Sequence, residues 1–418
     1  LTLEDCLRIG IDNNLSLEGK RKEIQKSKYG VSENRSKLLP QITVIAGYNN
    51  NFDPPVSVTD GSSYGVPYNI TKTLQHTANA GLEMQMPLFN QTLYTSMSIA
   101  KVMEEISRLS YGKAREDIIM QISKMYYLGQ VTAEQIVLIK ANITRLEELR
   151  DITQAFFDNG MSMEVDLKRV NINLENLKVQ YDNAQAMMKQ QLNMLKYIMD
   201  YPAEKEFVLT PVNTDSITTV ALTGLSENIY ELQLSQSQVQ LAEKQKKIIS
   251  NGYIPSLSLT GSWRYAAYTD KGYHWFHSGP SNHWFRSYGL GLTLRIPIFD
   301  GLDKTYKIKK AMIDIENSKL AWENARKSLQ TQYLNAVNDL MNNQRNFKKQ
   351  KDNYLLAEDV YTVTSDRYRE GIASMTEVLQ DEMQMSEAQN NYISAHYNYR
   401  ITNLMLLKLT GQIESLVK

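Results

Sequence analysis

Side chains able to do chemistry are few in this 418-residue chain, and most stand apart from one another. Cys6 is the single cysteine, which excludes an internal disulfide and any thiolate metal cluster; inside an amphipathic run it reads as a buried thiol. The five histidines are His76, His274, His277, His283 and His396. Three of them share one short stretch, but Asp270 is the only carboxylate near them, a poor ligand set for a metal ion. No Ser-His-Asp grouping, His-x-x-x-His pair or glycine-rich phosphate loop is evident, so the expectation is a chain that is not an enzyme and takes no cofactor or metal. What does recur is an acid at a fixed distance from a glycine. Asp166 is the sixth residue after Gly160, and Glu377 is the sixth after Gly371. Carboxylates so placed suit the first turn of a helix, where the dipole favours them. Repeated by several chains around one axis, they would instead form rings that draw cations to a narrow entrance.

The elements that position these acids come in two copies. Gly81 to Phe89 ends a strand-like alternation at Pro87, and Gly289 to Phe299 does the same at Pro297, about 210 positions later. Leu39-Pro40 matches Ile254-Pro255, Phe157 to Gly160 matches Tyr368 to Gly371, and Leu192 to Lys196 matches Leu404 to Lys408. The expected division is a first repeat over 1–210 and a second over 211–418. The first holds a helix, a β hairpin over about 41–86, a long helix over about 88–157 and a return helix over about 162–199. The second holds a helix, a hairpin over about 256–296, a long helix over about 298–368 and a return helix over about 374–409.

Leu3, Leu7, Ile11 and Leu15 predict one amphipathic helix from residue 3 to 38, opened by Thr2 with Glu4 and Asp5 behind it and closed by Pro40. Asp53 to Asn69 reads as a polar loop. Each long helix would reach roughly 105 Å at 1.5 Å per residue, too long for one globular core, so lateral packing against other long helices is required. Gly112 and Gly129 license a mild bend or a close helix contact in the first. Both long helices end at a glycine turn, after which Ser162 and Ser374 stand where they could cap the return helices. The short helices of each half, laid end to end, match one long helix, as in a cylinder wall. The linker from Tyr201-Pro202 to about Thr219 joins the halves.

Within the hairpins the period is two. Leu257, Leu259, Gly261, Trp263, Tyr265 and Ala267 alternate with Ser258, Thr260, Ser262 and Arg264; Leu290, Leu292, Leu294 and Ile296 alternate with Gly291, Thr293 and Arg295. Apolar-out, polar-in strands with aromatics at one end mark an outer-membrane barrel, which makes Leu257, Leu259, Leu290, Leu292 and Leu294 lipid-facing. Tyr273, His274, Trp275, Phe276, Trp284 and Phe285 fall in the connecting stretch as a rim of aromatics. No run reaches the eighteen or so apolar residues of a spanning helix, and 46 basic against 46 acidic residues give nucleic acid no footprint. Four strands cannot close, and an open edge is forbidden in hydrocarbon. Small barrels start at eight strands, so at least two chains must share one; three, the favoured number, would supply twelve strands around a lumen wide enough for an aqueous channel. A pore-less coiled-coil scaffold is the alternative, and the paired apolar strands argue against it.

With these landmarks the chain resembles the outer-membrane efflux channels typified by TolC along essentially all its length, Asp300-Gly301 and the Tyr-Arg-x-Gly-x-x-Ser-x-x-x-Val-Leu run of 368–379 included. The resemblance implies a membrane α+β fold, a trimeric 12-stranded β-barrel continuous with a long α-helical barrel. It implies an outer-membrane site with a long periplasmic extension. The implied partners are a periplasmic adaptor and an inner-membrane pump, with drugs or other exported molecules as cargo. It also implies that Asp166, Glu377 and Tyr368 belong to the closed entrance. This sequence departs from the family's pattern at Ala373, where a basic residue is expected, and at Gln380, whose acid is displaced to Asp381. The turns Asn159-Gly160-Met161-Ser162 and Gly371-Ile372-Ala373-Ser374 become the adaptor-contact candidates. Members can begin with a lipidated cysteine; Leu1 is not one, and a start without Met is compatible with a removed export signal.

Overall fold

The computed structural model of the chain describes residues 1–211, 222–269 and 284–417. In chain order the elements are α1 (Leu3–Asn13), α2 (Leu15–Ser36), β1 (Gln41–Asn50), β2 (Val56–Asp60), β3 (Tyr68–Lys72), β4 (His76–Phe89), α3 (Gln91–Asp158) and α4 (Glu164–Met199). They continue with α5 (Tyr230–Asn251), β5 (Ser256–Thr269), β6 (Trp284–Arg295), α6 (Asp303–Arg369) and α7 (Met375–Leu409). Asp270, Tyr273, His274, Trp275, Phe276, His277 and His283 lie outside the described residues, as does the linker from residue 212 on. Two compact units result, one of Leu1–Ile24, Ile106–Gln236 and Lys319–Lys418, the other of Gln25–Glu105 and Ser237–Ser318.

In the second unit β1, β4, β5 and β6 form an antiparallel sheet in that order, leaving β1 and β6 as edges. Register decides which side chains share a face. Val44 stands opposite Leu82, Leu82 opposite Trp263, and Trp263 opposite Tyr288. One row lower, Ile42, Met84, Gly261 and Leu290 align, and Leu259 pairs with both Met86 and Leu292. Side chains alternate along a strand, so these rows make one face apolar, and Asn50, His76 and Arg286 join it only toward the other end of the strands. The other face carries Thr43, Glu83, Ser262 and Gly289 in a row, and Ile45, Gly81, Arg264 and Ser287 in the next. Glu83 and Arg264 form an ion pair across β4 and β5 on this polar face. The stretch from Asp53 to Asn69, a polar loop by composition, contains β2 and part of β3, which pair with each other. Val56 and Val58 alternate with Ser57 and Thr59, a period-two signal hidden between Pro55 and Gly61.

In the first unit Thr2 and Asp5 cap α1 reciprocally through side chain and backbone. The single helix expected over 3–38 is instead two. At Asn14 the backbone turns to ψ 118°. Its Oδ1 accepts from Leu17 N–H at 3.1 Å and its Nδ2 donates to the Ile198 carbonyl at 2.8 Å, so one side chain starts α2 and ties the break to α4. Gly112 gives the ring of Tyr230 room: an added Cβ would lie 2.4 Å from it. One apolar core joins Leu7, Ile119, Ile122, Leu195, Met199 and Leu406. A second joins Leu146 and Leu149 of α3, Val170 and Leu174 of α4, Tyr361 and Tyr368 of α6, and Val378 and Met385 of α7. Burying each such aliphatic side chain contributes about 1.5–3 kcal/mol. Polar bonds cross the same helices: Arg145 pairs with Glu358, Asn142 donates to Gln389 at 2.7 Å, and Tyr392 donates to Glu134 at 3.0 Å.

Candidate functional site

The second core sits beneath two turns of matching geometry. After α3, Gly160 N–H donates to the Phe157 carbonyl at 2.9 Å and Met161 N–H to that of Phe156 at 2.8 Å. After α6, Gly371 N–H donates to Tyr368 at 2.9 Å and Ile372 N–H to Arg367 at 2.8 Å. Both are the reverse-turn cap that needs a left-handed residue, and the glycines supply it at φ +73° and +75°. Among the described residues a Cβ on either would meet no atom, so the glycines serve conformation rather than space. Met161 and Ile372 are exposed at the turns.

The return helices then start differently. Ser374 caps α7: its hydroxyl accepts from Glu377 N–H at 3.3 Å, while the Glu377 carboxylate accepts from Ser374 N–H at 2.7 Å. Those bonds from Ser374, backbone first, hold the Glu377 carboxyl below the usual carboxylate range. At α4 the capping position falls to Met163, which offers no side-chain bond. The expectation that Ser162 caps α4 is therefore corrected: it lies one residue too early, and its hydroxyl donates to the Thr153 carbonyl at 3.3 Å. Counted from the glycines, Asp166 and Glu377 hold the same place, the third helical residue. Lacking a capping serine, Asp166 binds Arg169 at 3.1 Å, and the same Arg169 nitrogen reaches Thr376 Oγ1 at 3.5 Å, linking α4 to α7.

Tyr368 is buried on α6, its hydroxyl donating to Thr153 Oγ1 of α3 at 3.3 Å and its ring 5.6 Å from that of Phe156. Burial pushes its hydroxyl above the ordinary tyrosine range, opposed by the Thr153 bond. Gln380 is exposed and Asp381 half-buried on α7. Sequence reasoning missed Arg169, whose signal was its i,i+3 spacing from Asp166. It also missed Glu382, which is 5 % exposed on α7, with an oxygen that has no hydrogen-bond partner among the described residues. Burial pushes that carboxyl up to about 6. Arg369 reaches Glu148 of α3 at 3.3 Å, a further tie beneath the turn.

Long helices joined to a short sheet with one apolar and one polar face are the parts of an outer-membrane channel. Among the described residues no helix is long and apolar enough to cross a membrane, and a strand barrel needs none. The chain matches the family model for outer membrane efflux proteins over residues 9–199 and 213–412, and it belongs to that family. It is 21 % identical to the outer membrane protein TolC of Vibrio cholerae over 396 residues, 92 % of this chain and 84 % of that one. It is 23 % identical to the antibiotic efflux pump outer membrane protein ArpC of Pseudomonas putida, over 86 % and 75 % of the two chains. Among solved structures it superposes on CusC with TM-score 0.81 at 15 % identity, covering 98 % of this chain and 91 % of that one. On the open state of the Neisseria gonorrhoeae MtrE channel the TM-score is 0.78 at 18 % identity, covering 98 % and 88 %. The chain is thus an outer-membrane exit channel of efflux systems, a family of conduits rather than of enzymes, and the pore-less scaffold falls away.

Proposed function

We propose that three copies of this chain close one 12-stranded barrel and serve as the passive exit conduit of a tripartite efflux or secretion system, docked to a periplasmic adaptor and an inner-membrane pump, with no catalytic step of its own. The observation that carries the reading is the sheet: among the described residues β1 and β6 are its edges, and their apolar side chains Val44, Leu290 and Leu292 are 74 %, 80 % and 67 % exposed in the single chain. Edges of that kind are tolerated in hydrocarbon only when another chain pairs them. The polar face, with a trough of about 590 Å³ lined by Thr43, Glu83, Thr260, Ser262 and Arg264, is then the lumen. The family match in two stretches either side of residue 212 supports 1–210 and 211–418 as structural repeats.

In the helical unit, Asp166 and Glu377 of three chains form the acidic entrance, with Tyr368, Gln380 and Asp381 behind it. The two glycine turns, Asn159 to Ser162 and Gly371 to Ser374, form the adaptor contact. Two measurements test this. Electron microscopy of the detergent-solubilised oligomer should show three-fold symmetry; a monomer or a pore-less assembly overturns the barrel. Single-channel recording of Asp166→Asn with Glu377→Gln should show reduced cation preference and weaker block by divalent cations from the periplasmic side. An unchanged reversal potential in a salt gradient would make both acids ordinary helix-start residues.

A further inference from the structure

We propose that Arg286 is a binding point for the phosphate of an outer-leaflet lipid headgroup, one per chain, held at the upper margin of the apolar face. The placement follows from register. Arg286 on β6 stands opposite Tyr265 of β5, while its neighbours on the same face are Trp284 and Tyr288, with Trp263 opposite Tyr288. The face below is Leu290, Leu292 and Leu294 with Leu257 and Leu259. Among the described residues of β1, β4, β5 and β6, Arg286 is the one Lys, Arg, Asp or Glu on this face. Every other such group in the four strands, Glu83, Arg264 and Arg295, lies on the polar side.

Depth decides what this cation meets. From Leu294 to Arg286 the strand advances about 27 Å, and a strand tilted by about 40° climbs about 20 Å of membrane over that length. The apolar band of such barrels is about 25 Å tall, so the guanidinium lies where hydrocarbon gives way to headgroups. A long cationic side chain at that level extends its head to the interface. There the abundant anion is lipid phosphate, whose oxygens the planar guanidinium fork engages two at a time. Arg286 is exposed, and its guanidinium carbon lies 5.9 Å from the Tyr288 ring centroid. The aromatic side chains around it prefer the same interfacial level, which fixes the height of the cation. A lumenal role is ruled out by the register, since Tyr265 and Tyr288 share its face.

This inference rests on the apolar face meeting lipid, and the test separates the two. The full-length protein would be reconstituted in phosphatidylcholine vesicles containing chain-brominated phosphatidic acid or chain-brominated phosphatidylcholine, with tryptophan quenching as the readout. Parent protein should favour phosphatidic acid by about five-fold, the factor one arginine near an anionic leaflet is worth. Arg286→Gln should bring the preference to about one, and Arg286→Lys should keep part of it. Equal quenching of all three proteins by brominated phosphatidylcholine reports intact insertion. An Arg286→Gln protein that inserts and keeps the full preference overturns the proposal, and so does loss of the parent's preference on adding inorganic phosphate, which would make the site one for free anions. Absence of any quenching by brominated phosphatidylcholine in the parent would instead overturn the lipid-facing reading itself.

Discussion

Replacing Glu382 should change the stability of the helical tips in a way that depends on pH. Glu382 is buried on α7 between the core residues Val378 and Met385, one carboxyl oxygen has no hydrogen-bond partner among the described residues, and burial raises it from 4.5 to about 6. Tyr361 is pushed up to about 12, by burial first and by this carboxylate second. Because the folded state holds the proton more tightly than the unfolded state, the Glu382 contribution to tip stability is greatest below pH 4.5, is lost as pH rises through about 6 and does not return above. A shift of about 1.5 units at 1.36 kcal/mol per unit makes the penalty about 2 kcal/mol at neutral pH. Glu382→Gln should flatten this profile. Glu382→Met, similar in volume, should stabilise the tips above pH 6 by about that amount, because no buried charge remains. Amide hydrogen exchange of 355–369 and 375–390 in the solubilised full chain, corrected for intrinsic rates, reads the local opening energy. Identical pH profiles for parent and Glu382→Gln between pH 4.5 and 7 would refute the reasoning, as would a Glu382→Met protein with tips less protected than the parent's at neutral pH.

Leu292→Arg places a charge on the lipid face and should cost about 2–4 kcal/mol if it lies near the midplane, read as lost barrel insertion in a folding titration; an unchanged titration midpoint counts against the outward assignment. Ser374→Ala removes the cap of α7 and should cost about 1 kcal/mol of local stability, whereas Ser162→Ala should leave the start of α4 unchanged in the same exchange experiment. The Glu377 carboxyl, held low by Ser374, supports the first turn of α7 above the usual carboxylate range and releases it as pH falls through its lowered value, so Glu377→Gln should lose that acid-side drop in protection. Gly160→Val with Gly371→Val forces a branched side chain into a left-handed conformation at a cost of about 1–2 kcal/mol each, and should weaken adaptor crosslinking while barrel insertion persists.

Much of the fold was legible because its signals are long and repeated. Period-two alternation across Leu257 to Ala267 identifies a strand whatever its partners, and the register that pairs Leu259 with Leu292 then places both leucines on one face. Where the signal was short, local chemistry prevailed. One asparagine breaks the first helix at position 14, since its side chain satisfies Leu17 N–H and Ile198 carbonyl at once, and apolar spacing carries no trace of that. The β2–β3 pair escaped notice because five-residue strands flanked by proline and glycine resemble a loop in composition.

The tips show the same division. Asp166 and Glu377 were found by counting from glycines, and the count also carries the correction at Ser162, since three residues beyond Gly160 stands Met163 and three beyond Gly371 stands Ser374. The duplication thus preserves the acid and loses the cap. Glu382 was missed because a single acid in a long polar helix looks solvated, but it belongs to a seven-residue series. Met375, Glu382, Gln389, His396 and Asn403 are all buried, and so are Val378, Met385, Tyr392, Tyr399 and Leu406 between them. An alternating three-four spacing marks the packed seam of a helix, so the polar members are seam residues by position. Each of the middle pair bonds out of the seam: Gln389 to Asn142 of α3, and His396 to Arg400, whose Nε donates to it at 3.0 Å. A polar residue in a seam costs stability while fixing which neighbours align; Gln389 does so by bonding across to α3, whereas His396 and Asn403 bond within α7, and His396 Nδ1, Asn403 Oδ1 and one Glu382 oxygen have no hydrogen-bond partner among the described residues. Glu382 is the carboxylate among these polar seam positions, and because burial raises it to about 6, its cost to the seam is the one that grows as pH rises.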